Sequence, residues 1–179
     1  FGLHLNVELA AHGIDHILRQ FRAYLLMSDW LRDEIGVDLT RRLLPHTSRF
    51  PPDYVVMVVD AAYDPDMTRF IEDYALWNPS RNRELDLYPM LRHLAPQTVD
   101  ALVDDARIKA RPAWHYRLPN ASLEDPAWNA VVEWNRWIEV ERLAEDEPRL
   151  TAMARAYAEW HGRPAHERWL DALRDLLGQ

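Results

Sequence analysis

Leu3-His4-Leu5-Asn6-Val7-Glu8-Leu9 alternates apolar and polar side chains without a break. A β-strand sends successive side chains to opposite faces, so Leu3, Leu5, Val7 and Leu9 share one face and His4, Asn6 and Glu8 the other. An imidazole, an amide and a carboxylate about 7 Å apart in line make a better pocket wall than a solvated surface, which favours Lys, Thr and Ser. The plainer alternative is an amphipathic edge strand whose polar face meets water. A second stretch repeats the design. In Ala113-Trp114-His115-Tyr116-Arg117-Leu118, the residues Trp114, Tyr116 and Leu118 share one face, and His115 and Arg117 the other.

Around these ribbons the pattern is helical. Ile14 to Ile35 carries an apolar stripe at Ile14, Ile17, Leu18, Phe21 and Leu25 that continues to Ile35, and Gly36 is placed to cap it. Asp38 is placed to cap a short helix through Leu44, which Pro45 ends. Asp53 to Tyr63 is ambiguous: its valines favour a strand, while Pro51-Pro52 and Ala61-Ala62 favour the helix we expect. Asp64-Pro65 should start another helix, stopped by Asn78-Pro79-Ser80, and Pro96 to Asp104 a short one. From Asp125-Pro126 three helices follow, the first capped by Asp125 and burying Ala127, Val131, Trp134 and Ile138. The second carries Leu150, Met153, Ala154 and Tyr157 and breaks at Gly162-Arg163-Pro164. The third runs from Ala165 to Leu177. The expected class is α+β, mostly helical, with a small sheet supplying a polar face. Residues 1–120 form the α+β core and 121–179 a helical segment packed on it.

Composition removes several functions. The chain has 179 residues, no Cys and a net charge of −8. Without Cys there is no disulfide framework, thiolate chemistry or zinc ribbon, and a reducing, cytoplasmic setting fits. The acidic balance argues against non-specific nucleic-acid binding. No apolar run approaches the roughly 20 residues that cross a bilayer. There is no phosphate-binding glycine fingerprint. The chain opens at Phe1 inside a strand, and the expectation is a carboxyl-terminal piece of a longer enzyme.

Two further clusters can carry chemistry. Arg81-Asn82-Arg83-Glu84-Leu85-Asp86-Leu87-Tyr88-Pro89 holds two guanidiniums and two carboxylates. If extended, Asn82, Glu84 and Asp86 line one face and Arg81 and Arg83 the other. If helical, Asn82 and Asp86 stack one turn apart. Either arrangement suits a divalent cation beside phosphate oxygens, and the plainer alternative is a surface helix start held by local ion pairs. Arg107-Ile108-Lys109-Ala110-Arg111-Pro112 leads into the second ribbon as an anion-binding patch, or else as a solvated loop balancing Asp100, Asp104 and Asp105. His161-x4-His166 reads as surface, and His16, His46 and His93 as ordinary surface or core residues.

Gly2-Leu-His-Leu-Asn6, Asn82-Arg-Glu-Leu-Asp-Leu-Tyr-Pro89, Arg107-Ile-Lys-Ala-Arg-Pro-Ala-Trp-His-Tyr-Arg-Leu-Pro119 and Trp134-Asn-Arg-Trp-Ile-Glu-Val-Glu-Arg-Leu143 together resemble the bacterial amidoligase family. That family is grouped with glutamine synthetase and γ-glutamylcysteine ligase. The resemblance implies an antiparallel sheet whose concave face holds ATP and Mg²⁺, where a carboxylate is phosphorylated and an amine attacks the acyl phosphate. On that reading His4, His115 and Arg117 are catalytic. Asn6, Arg83, Lys109 and Arg111 meet nucleotide or substrate, and Glu8, Glu84 and Asp86 face the metal. Relatives often carry His where Asn6 stands, and they have an earlier glycine-and-glutamate hairpin. The expected partners are a small-molecule or peptide carboxylate and an amine, with no nucleic acid and no membrane. A second copy of the chain, or an N-terminal remainder of the enzyme, would complete the set. As a pocket group, Arg117 should contribute to binding more than to packing. The rival reading is a non-catalytic interaction module whose Trp134, Trp137, Trp160 and Trp169 form an exposed patch. A metal hydrolase built on His4 and Glu8 lacks a clear third ligand.

Overall fold

The two alternating ribbons pair with each other. In the computed structural model, which describes residues 2–162 and 168–178, β1 (Leu5–Glu8), β2 (Leu85–Asp86) and β3 (Ala113–Tyr116) form one antiparallel sheet in the order β1-β3-β2. The register sets Asn6 opposite His115 and His115 opposite Asp86. Directly paired residues share a face, so these three form a polar row across the sheet. Leu5, Tyr116 and Leu85 form the matching row on the other face, where Tyr116 and Leu85 are fully buried. The strands are shorter than the alternation predicts. The pairing still continues beyond β1, because Leu3 N donates to Pro119 O and Leu9 N to Pro112 O, both at 2.9 Å.

Contacts divide the chain into two units, each discontinuous in sequence. The first comprises Phe1–Ile14, Val37–Phe50 and Pro65–Trp128. Besides the sheet it holds α2 (Leu39–Arg42), α4 (Met67–Trp77), α5 (Tyr88–Leu94) and α6 (Pro96–Leu102). Asp38 caps α2 as expected, its Oδ1 accepting from Thr40 N at 3.0 Å. The α4 cap is Asp66 rather than Asp64-Pro65, since its Oδ1 is the one that reaches Arg69 N, at 2.8 Å. The corner between β2 and α5 is fixed by two buried phenols. Tyr74 Oη accepts from Leu87 N at 3.2 Å, and Tyr88 Oη donates to Asn78 O at 2.7 Å. Their rings meet edge-on at 5.1 Å.

The second unit comprises Asp15–Gly36, Pro51–Asp64 and Asn129–Gln179. It holds most of α1 (Ile14–Ile35) with α3 (Pro52–Val59), α7 (Ala130–Glu145), α8 (Glu147–His161) and α9 (Trp169–Leu177). The ambiguous valine run is helical, as expected. Gly36 ends α1 at φ 58°, a left-handed conformation that costs glycine little. Trp169 Nε1 donates to Leu26 O at 2.8 Å. The Arg163-Pro164 break, His166 and the Ala165 helix start lie outside the described residues. Among the described residues no helix is long and apolar enough to cross a membrane.

One expected face is corrected. α7 starts at Ala130, where Asn129 Oδ1 accepts from Val131 N and Val132 N at 3.0 and 3.2 Å, while Asp125 only closes a turn onto Ala127 N. Its buried stripe is Glu133, Trp137, Val140 and Ala144, not Ala127, Val131, Trp134 and Ile138. Val131 is 64% and Trp134 42% exposed. Hydropathy misplaces the stripe because a carboxylate sits on it, Glu133, paired with Arg136 at 2.7 Å. Trp137 is fully buried and donates from Nε1 to Glu141 at 2.7 Å. Trp137→Ala is therefore expected to cost about 3–5 kcal/mol in urea unfolding, and Trp134→Ala less than about 1 kcal/mol.

Candidate functional site

Pairing and alternation place His4, Asn6, Glu8, His115, Arg117, Glu84 and Asp86 on the sheet's polar face. Backbone pairing runs one step past β2, with Arg117 N donating to Glu84 O at 2.8 Å. Thus His4 and Arg117 stand on one face although they are far apart in sequence.

At the centre of this face the hydrogen bonds define a tautomer. Asn6 Oδ1 lies 2.8 Å from Arg111 Nη1 and 3.0 Å from His115 Nδ1. A guanidinium only donates, so the atom between them is the amide oxygen and not the NH₂. His115 Nδ1 must then carry the hydrogen, which leaves the lone pair of the neutral ring on Nε2. Burial pushes the His115 imidazole down to about 3, helped by Arg117, His4, Arg111 and Arg81. The His4 ring meets it edge-on at 5.2 Å between centroids. His4 is lowered by partial burial, then by Arg117, His46 and Arg41; His46 is lowered by partial burial, then by Arg117 and Arg41.

The third strand supplies a buried carboxylate. Asp86 Oδ2 accepts from Arg81 Nε at 2.9 Å and from Arg117 Nη2, and its Oδ1 accepts from Tyr88 N at 3.2 Å. Burial raises its pKa despite the opposing pull of both guanidiniums. Arg117 also donates through Nη1 to Arg81 O at 2.7 Å and is only 6% exposed. Two expectations change here. Only Leu85–Asp86 is extended; residues 81–84 are bent, with Arg83 N donating to Arg81 O at 3.0 Å, so Arg81 does not point away from Asp86 but reaches its carboxylate. Arg117 holds the structure together as much as it faces any ligand.

The remaining expected residues divide. Arg111 reaches Asn6, and Lys109 is exposed on the preceding loop. Arg83 is turned elsewhere: Nε donates to Asn78 Oδ1 at 2.6 Å and the guanidinium stacks on Phe50 at 5.8 Å. Glu84 is fully buried and Glu8 exposed, about 16 Å apart by strand spacing and rise. Arg107 pairs with Asp105 at 2.7 Å, which draws Asp105 down to about 2, so that part of the basic loop is internally compensated.

The sequence reading passes over Arg41 and takes His46 as an ordinary surface or core residue. Arg41 donates from Nη1 to Leu118 O, Pro119 O and Asn120 Oδ1, each at 2.8 Å, and from Nη2 to Arg117 O at 2.7 Å. It braces the end of β3. A Cβ on Gly2 would lie 3.0 Å from Arg41 Nη2, so a larger residue there would make the guanidinium give way by a few tenths of an ångström. His46 follows on the same segment and adds an imidazole to the group. No local pattern marks either residue, because their placement depends on how residues 37–50 return to the sheet.

The His115 imidazole has its pKa lowered on folding, so the unfolded chain takes a proton that the native state refuses. Its contribution to stability is complete above about pH 6.5 and is lost as pH falls towards about 3. His115→Gln should therefore show a flatter decline of Tm than the native chain over that window. Arg117→Ala removes a partner from a buried carboxylate and should cost about 3–5 kcal/mol in urea unfolding. Arg111→Ala, at a half-exposed position, should cost less than about 1 kcal/mol.

The rival reading needed an exposed tryptophan patch, but Trp137 and Trp169 are 0% and 2% exposed. The chain matches no curated protein and no solved structure. The family model described as "Putative amidoligase enzyme" matches residues 1–139, which include every strand of the sheet and every residue of its polar face. The chain belongs to the amidoligase family.

Proposed function

We propose that the chain works as an ATP-dependent carboxylate–amine ligase, or as the carboxyl-terminal part of one, through an acyl phosphate. The observation that carries this reading is an oriented, neutral imidazole set among guanidiniums: Asn6 and Arg111 fix His115, with Arg81, Arg117, His4 and His46 around it.

A carboxylate oxygen of the substrate attacks the γ-phosphorus of ATP, and ADP departs. The amine nitrogen then attacks the acyl carbon, phosphate leaves, and the nitrogen loses a proton. His115 Nε2 is the acceptor for that proton. An imidazole held near 3 is a weak base alone, but phosphate oxygens brought beside it favour the imidazolium and raise its pKa towards neutrality. Proton uptake is thereby linked to nucleotide binding. Arg111, at the edge of the face, is suited to phosphate or to the substrate carboxylate. The substrates are a small-molecule or peptide carboxylate and an amine, in a cytoplasmic setting that supplies ATP.

Mg²⁺ belongs to this reading and usually binds through substrate phosphates with one or two carboxylates. Of the three expected carboxylates, Glu8 alone is exposed and would meet a hydrated cation. Bound there, the cation would offset phosphate charge. Among the described residues no group of three or more His, Asp or Glu is placed to hold a metal without the nucleotide.

The test incubates the chain with ATP, Mg²⁺, a panel of carboxylic and amino acids, and hydroxylamine as a general nucleophile. At least one acid should give a hydroxamate with equimolar ADP. His115→Gln should lower that rate by about 10²–10⁴-fold while leaving ATP binding in place. A panel without hydroxamate, together with no ATP binding by calorimetry, would overturn the reading.

A further inference from the structure

The second unit contains a cavity of about 340 Å³ bounded by α1, α3 and its carboxyl end, and α8. That volume lies at the lower end of small-molecule sites. On α8 the lining residues recur one turn apart, Leu150, Ala154 and Ala158, and the two alanines leave room that larger side chains would fill. Val56 and Val59 of α3 complete an apolar wall.

Three guanidiniums stand against that wall. Arg22 is anchored by the carboxyl end of α3, donating through Nε to Val58 O at 2.7 Å and through Nη2 to Asp60 O and Tyr63 O at 2.9 and 2.6 Å. These bonds hold its position, and the carboxylates of Asp64 and Asp60 offset its charge. Arg19, one turn earlier, has a buried Nε with no hydrogen-bond partner. Arg155 faces them from α8. Asp60 and Glu147 also line the cavity, yet among the described residues no ion pair joins either to these arginines. With Arg22 offset by Asp60 and Asp64, Arg19 and Arg155 stand against one lining carboxylate, Glu147, which leaves one positive charge beside the apolar walls. A multiply charged phosphate would oppose the two carboxylates; a single carboxylate would balance the lining and match the planar guanidinium fork. Half of the lining comes from α8, which lies beyond the residues matched by the amidoligase family.

We propose that this cavity is a binding site for a small organic monocarboxylate, with its apolar body against Val59, Leu150 and Ala154 and its carboxylate on Arg19 and Arg155. The site is independent of the sheet and of the ligase reading.

The test uses the full chain and hexanoate, with hexanol as the uncharged body and inorganic phosphate as the charge without a body. Calorimetry and thermal shift should show saturable hexanoate binding that raises Tm with concentration. Hexanol and phosphate should each bind at least about tenfold more weakly, and Arg19→Gln should weaken hexanoate by about tenfold or more. Arg155→Gln, at an exposed position, should do the same without affecting folding. Ala154→Leu should abolish binding by filling the space. No saturable hexanoate binding, equal binding by phosphate or hexanol, or unchanged binding in properly folded Arg155→Gln and Ala154→Leu would each overturn the proposal.

Discussion

The polar face depends on one buried carboxylate. Asp86 has given up water on the inner side of β2, a cost that only close partners offset. Two guanidiniums supply this from different parts of the chain, Arg81 from the loop ahead of β2 and Arg117 from the end of β3. Arg117 in turn takes the backbone carbonyl of Arg81, so loop, edge strand and central strand close on one another. Arg41 does a related job on the carbonyls of residues 117–119. The arginines therefore fall into two groups. Arg41 and Arg117 turn most of their hydrogen bonds inward to shape the sheet's end, whereas Arg111 stands half-exposed at the margin of the face and bonds Asn6.

This division resolves a tension in the composition. A chain of net charge −8 is unsuited to coating nucleic acid, yet the field felt by His115 is strongly positive, with three guanidiniums among its neighbours. Net charge governs the far field, and side chains within a few ångströms govern the near one.

Much of this was legible in advance. The alternation of β1 and β3 gave both faces correctly, because a period of two is a direct consequence of strand geometry. Asp38 and Gly36 were readable because capping is local chemistry. What the sequence hid was tertiary. Arg41 and His46 come from a segment whose return to the sheet no local pattern announces, and the chain bends at residues 81–84, which brings Arg81 to Asp86 where a fully extended strand would not. On α7 a paired carboxylate occupies an inward position while an apolar indole lies outside, so hydropathy indicated the wrong stripe. Arg83 sits in the family-like block with the right chemistry, but it caps the end of α4 and stacks on Phe50.

The central strand is bracketed by Pro112 and Pro119, and each gives its carbonyl to a neighbouring amide on the β1 side. A proline has no N–H to offer, so each marks a point where the hydrogen-bonded ladder cannot simply be shifted along. Sliding β3 by one residue would exchange its two faces, sending an imidazole into the oily layer and an indole into the charged one. Over evolutionary time the interval from residue 112 to 119 should therefore keep a constant length in this lineage, whereas the turn-rich stretch from residue 120 to 129 is free to lengthen or shorten.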